Sequence, residues 1–229
     1  LGAPCHGLDR MDRDAYILTS ALLDGERDAH VILADRLEEQ GDIGLAQWAR
    51  ARKRNASAKL NFALGILPHR QALALACDFA EHVIDKRTTL WWAPNMSEGI
   101  EPLRLWLAGA ASDDDVIAAC LILDHDPRYG GDPYNRTPAQ RQVCASLAGA
   151  AQNARLAARH FAAHSSKAHH YDGECAADTR KTARFARASR TNRLLGAFRS
   201  SRQSELQWPI GRTRDALAML IDGGISERN

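Results

Sequence analysis

Between His30 and Arg50 two short apolar stripes at helical spacing are separated by a single Gly-Asp pair. Val31, Leu33, Ala34 and Leu37 recur at the steps that place side chains on one helix face. Arg36, Glu38, Glu39 and Gln40 cover the other side. Gly41 can take the left-handed position that ends a helix without a Cβ penalty. Asp42 can cap the next helix, because its carboxylate accepts from free N–H groups of the first turn. Leu45, Trp48 and Ala49 then restart the apolar face. Helices this short are marginal alone in water, so the pair must bury its stripes against each other and a neighbour. The chain is thereby committed to helix-on-helix packing.

The remaining patterns agree. Asp14–Leu23 reads as a first short helix, with Asp12 or Asp14 where negative charge meets the helix dipole. Asn55–Pro68 reads as a joint between two domains. Pro68 suits a first helical turn, and Ala72, Leu75, Ala76, Phe79, Val83 and Ile84 follow as one stripe. Residues 85–97, with Trp91 and Trp92, read as a break. Glu101–Ala108 reads as a helix with Leu103, Trp106 and Leu107 inward. Ser112 with Asp115 forms a capping-box pattern before Val116–Leu123. Asp124–Arg136 is rich in turn residues. Thr137, Pro138 and Gln140 start a long helix whose face runs through Val143, Leu147, Ala151, Ala154, Ala158 and Phe161. Residues 165–175 read as an interruption, 176–200 as helix, and a last short helix follows Pro209. No useful period-2 pattern occurs. The expectation is an all-α protein, a short helical hairpin module followed by an Ala-rich multi-helix bundle. Its parts are a lead-in at 1–13 (with Met11-Asp12-Arg13 as a natural start), a module at 14–55 and a helical domain at 68–222.

Ala21-Leu22-Leu23, Asp28, Ala34-Asp35, Leu37-Glu38-Glu39, Gly41-Asp42, Trp48 and Arg50 together resemble the bacterial repeat-companion domain, a small all-helical module of multidomain bacterial proteins. Arg36 stands where that family usually has Trp, and its Pro-Asp-Asp turn is shortened to Gly25-Glu26-Arg27-Asp28. The resemblance implies an accessory role and carries over no catalytic residue. A second resemblance covers the rest: Cys77–Ile84, then Glu101–Gly109, an acidic helix start, Ala- and His-rich helices, and Trp208 with Arg212 and Arg214. That order is similar to a group of helical immunity proteins from bacterial conflict systems, although Ser97-Glu98-Gly99-Ile100 replaces their acidic Asp-Arg-Pro segment. It implies a protein that binds and neutralises a partner without catalysis.

Charge bears on the same question. The net charge is +2, but from Ala176 to Arg214 ten basic residues face two acids, which suggests an acidic partner for that third or neutralisation by the acidic N-terminal part. Lys181, Arg184, Arg187, Arg190 and Arg193 stand at a strict three-residue spacing and form a winding ridge. The ridge suits an acidic protein face or phosphates, and equally a solvated surface. The five cysteines are odd in number, far apart and without a Cys-x-x-Cys pair, which argues for reduced thiols in a cytoplasmic protein. No apolar run is long enough to span a membrane.

Chemical constellations are weaker. His160 and His164, four apart on an expected helix, share a face, and His169, His170, Asp172, Glu174 and Cys175 follow with the donor types a zinc site uses. Phe161-Ala162-Ala163 stand between the first two, so no glutamate is placed as base, and a polar helix end explains the cluster as well. Asp124-His125-Asp126-Pro127 looks like a carboxylate–histidine fragment but needs no more than turn chemistry. There is no phosphate-binding glycine loop and no nucleophile elbow. The expectation is a non-enzymatic, cytoplasmic bacterial interaction protein without cofactor, catalytic residue or metal ligand. It binds an acidic protein through Arg184, Arg187, Arg190 and Arg193. The alternatives are nucleic-acid binding through the same ridge and a metal-dependent enzyme at His160/His164.

Overall fold

The computed structural model describes residues 11–50, 55–84, 93–124, 138–194 and 201–222. Among these residues there are ten α-helices and no strand, so the all-α expectation holds. The chain groups into two units. The first holds residues 1–67 together with 206–229, and the second holds 68–205.

The first unit contains α1 (Arg13–Asp24), α2 (Ala29–Glu39), α3 (Ile43–Arg50) and α4 (Ala56–Gly65), with most of α10 (Ser201–Asp222). Asp12 caps α1, its carboxylate accepting from the Ala15 N–H at 3.0 Å. Burial pushes that carboxyl up, but the Ala15 N–H and the Arg36 guanidinium outweigh it and hold it below its ordinary 3.8. The expected hairpin is α2–α3. Gly41 stands at φ +83, and the Asp42 N–H closes back on the Leu37 carbonyl at 2.8 Å. The Asp42 side chain then accepts from the Leu45 N–H at 3.1 Å. Leu33, Ala34, Leu37, Ala46 and Ala49 are buried, whereas Val31 is 44% exposed and leaves the stripe. Arg50 joins the two helices by ion pairs to Asp35 and Glu38.

The joint expected at 55–68 is instead largely helix. Asn55 caps α4 through the Ala58 N–H at 2.8 Å, and Leu60, Ala63 and Leu64 are fully enclosed. Phe62 stacks on Trp48, with ring centroids 4.3 Å apart. The last helix also departs from expectation. It begins before Pro209, which it contains. Residues 206–222 group with the first unit rather than extending the second domain to 222. Arg214 pairs with Asp24 at the end of α1, and Ile210, Thr213, Ala216 and Leu217 are buried.

The second unit contains α5 (His69–Ile84), α6 (Ala93–Leu107), α7 (Asp113–Leu123), α8 (Pro138–Ala162) and α9 (Ala168–Leu194). The hairpin of α8 and α9 is its backbone; α5 packs on both, and the α6–α7 hairpin closes against α5 and α8. Alanine makes the close approach possible. Ala150, Ala151, Ala154 and Ala157 on α8 and Ala176 and Ala183 on α9 are buried, so the helices meet with few atoms between them. Ser112 and Asp115 form the expected capping box of α7. Pro102 lies inside α6, which starts at Ala93 rather than Glu101. The interruption expected at 165–175 shrinks to the turn between Ala162 and Ala168. Trp91, Trp92, Thr137 and the segment 125–136 lie outside the described residues.

Candidate functional site

The Arg ridge falls on a single continuous helix. Arg184, Arg187, Arg190 and Arg193 all lie on α9. A three-residue step turns the position back by about 60°, so the series winds around half of the helix. Arg184 is exposed and has no hydrogen bond or ion pair among the described residues. Lys181, one step earlier, is tied to Asp178 at 2.7 Å. The side chains of Arg187, Arg190 and Arg193 lie outside the described residues.

The histidine cluster does not assemble as the sequence suggested. His160 is on α8 and stacks on Tyr171, with centroids 5.1 Å apart. His164 has left the helix: at φ +51 it takes the left-handed position that closes α8, and the next N–H, of Ser165, returns to the His160 carbonyl at 2.9 Å. The two residues therefore share no helical face. His169 meets Phe161 edge-on at 5.4 Å. Among the described residues no group of three His, Cys, Asp or Glu side chains is disposed to hold a metal ion. Asp124 is exposed at the end of α7, and His125, Asp126 and Pro127 lie outside the described residues.

Asp172 and Cys175, which the sequence placed in that cluster, have other roles. Pro68 has no side chain that could cap α5, and the cap comes from α9 instead. Asp172 Oδ1 accepts from the His69 N–H at 2.6 Å and lies 3.1 Å from His69 Nδ1. Both side chains are buried, and the His69 ring stacks on Phe161 at 5.5 Å. One turn on, the Cys175 thiol points at the His69 carbonyl at 3.5 Å. Another turn on, Thr179 Oγ1 donates to the Ala72 carbonyl at 3.0 Å or to that of Cys175 at 2.9 Å. Asp172, Cys175 and Thr179 thus form a polar seam that fixes α5 on α9. Burial pushes the Cys77 thiol up to about 12 and Cys120 up to about 11. Burial, with Asp172 and Asp178 nearby, raises Cys175 well above its ordinary value. These thiols are protonated at neutral pH and are not poised as nucleophiles.

Two arginine centres were missed in the sequence. Arg104 on α6 ties α5 to α6: it donates to Glu81 at 2.9 Å, to Asp78, and to the Ala74 carbonyl at 3.4 Å. Burial lowers its proton affinity, but Glu81 and Asp78 outweigh that and raise it. The second centre is Asp113 at the start of α7. Its carboxylate accepts from Trp106 Nε1 at 3.0 Å and from Arg159 Nε at 2.6 Å, and Arg155 Nη1 is 3.8 Å away. The Arg70 guanidinium lies over the Trp106 ring at 5.6 Å. Arg155 and Arg159 are four apart on α8, which was the only sequence signal that they share a face.

No helix among the described residues is long and apolar enough to cross a membrane. Helices packed on helices, with no strand among the described residues, define the class as an all-α bundle protein. No family model, curated protein or solved structure matches this chain.

Proposed function

We propose that this chain is a non-enzymatic, immunity-like interaction protein that binds an acidic protein partner through the arginine face of α9. The observation that carries the reading is Arg184, an exposed guanidinium with no partner among the described residues, at the start of a run of arginines on one helix. A charge left unpaired at the surface costs little in water and is available to steer and orient an oppositely charged partner. The winding of the series favours a partner that follows the helix over one that meets it as a flat face. The first unit acts as an accessory module, in keeping with the resemblance of residues 14–53 to the repeat-companion domain. Its Asp35, Glu38 and Arg50, part of that resemblance, are spent on joining α2 to α3. The four described cysteines form no disulfide among the described residues, which supports a reducing cytoplasmic setting.

The test is affinity capture from native lysate, with and without nuclease and at two salt concentrations. The expected result is a protein retained after nuclease treatment by the wild-type chain and lost by Arg184→Glu with Arg187→Glu, whose helical signal is unchanged. Retention by that double variant would remove the reading. Loss on nuclease treatment, with affinity falling steeply with salt, would transfer the same surface to nucleic acid.

A further inference from the structure

We infer that Arg155 and Arg159 form an oxyanion site, for a carboxylate or a phosphate, at the N-terminal end of α7. Arg155 is 8% exposed and makes no hydrogen bond among the described residues. Its Nε is fully enclosed without a partner. Its one ion pair, Nη1 to Asp113 Oδ2, is 3.8 Å long and beyond hydrogen-bonding distance. A guanidinium taken out of water without compensating bonds is costly.

The same unit shows how an arginine kept for structure is treated. Arg104 is more exposed than Arg155, yet it bonds two carboxylates and a carbonyl. Asp113 does not serve Arg155 in this way, standing 3.8 Å from its Nη1. One of its oxygens accepts from Trp106 Nε1 and the other from Arg159 Nε. Two guanidinium groups therefore share the Asp113 carboxylate. The pair stands beside the first turn of α7, which also carries Asp114 and Asp115, the latter engaged with Ser112 in the capping box.

Access and chemistry agree. The Arg159 side chain is 59% exposed and offers its Nη groups, since its Nε is already given to Asp113. The Nη edge of Arg155, unlike its Nε, is not enclosed. A planar or tetrahedral oxyanion can be met at the surface by Arg159 and bonded inward by Arg155, the paired geometry that guanidinium groups provide. The site is separate from α9 and does not depend on the partner-binding reading.

Calorimetric titration of the full chain with inorganic phosphate, and separately with succinate, at matched ionic strength in chloride, tests the site. One equivalent of at least one anion binds per chain, and the arm that saturates identifies phosphate or carboxylate as the ligand class. Arg155→Met weakens binding by about tenfold or more, as loss of a charge-assisted pair should. Arg159→Met weakens it several-fold, and Arg184→Glu leaves it unchanged. Where Arg155→Met loses its helical signal, Arg155→Lys is read in its place and shows the same weakening. Absence of saturable binding of either anion, or unchanged affinity in the Arg155 and Arg159 variants, overturns the site.

Discussion

Asp172 shows how much one side chain carries. Its Oδ1 takes both the first N–H of α5 and the His69 ring, in a place closed to water. Removing it leaves a helix N-terminus and an imidazole without their acceptor, so Asp172→Ala should cost about 2–3 kcal/mol. Asp172→Asn keeps one acceptor for the backbone N–H but not the charge, and should cost about 1 kcal/mol. Urea unfolding of the two variants checks both the size and the order, and equal losses would contradict the capping role. The sequence marked Asp172 as chemically interesting, but for the wrong chemistry. A carboxylate beside histidines reads as a metal ligand, whereas its true partner is 103 positions away. His164 misled in a similar way. Four-residue spacing implies a shared face only while the helix continues, and the chain leaves it at Ala162.

At the level of elements, boundaries written in local chemistry were legible. Ser112–Asp115, Gly41–Asp42 and Asp12 all cap as their side chains require. Asn55, an equally clear cap, was passed over because the segment after it is short and mixed. Packing partners were not legible, since an alanine stripe says that something lies close without saying what. Gly149 on α8 illustrates the point. A Cβ there would stand 2.6 Å from Asp178 Oδ2 on α9, and Asp178 is held by Asn153 at 3.1 Å and Lys181 at 2.7 Å. Helix propensity alone would make Gly149→Ala stabilising by about 1 kcal/mol. The displaced carboxylate and its two bonds should outweigh that and give a net loss of about 1 kcal/mol. In an Asp178→Ala background the same change should become stabilising. A double-mutant cycle by thermal unfolding reads the sign reversal, and additive effects would show that α8 and α9 do not meet through this contact.

At the scale of the whole molecule, the first unit is discontinuous in sequence. Residues 68–205 enter after α4 and the chain returns to the first unit at 206. Charge counting could not reveal this, because Arg212 and Arg214 read as part of one basic C-terminal third. In the structure Arg214 instead answers Asp24 of the acidic N-terminal part, the internal neutralisation that the charge asymmetry also allowed. The two units should therefore differ as isolated fragments. Residues 68–205 hold the α5–α9 packing and its polar seam intact, so this fragment should unfold cooperatively with strong helical signal. Residues 11–67 alone lack the helix that carries buried Ile210, Thr213 and Leu217. They keep a small core of four short helices, which is marginal by size. Their unfolding should be broad, and a peptide of residues 206–222 should sharpen it and raise the midpoint. Circular dichroism of the two fragments, with the peptide added to the first, decides the matter. A cooperative 11–67 fragment indifferent to the peptide would mean that α10 is no part of that core. A non-cooperative 68–205 fragment would mean that the second unit needs the first to fold.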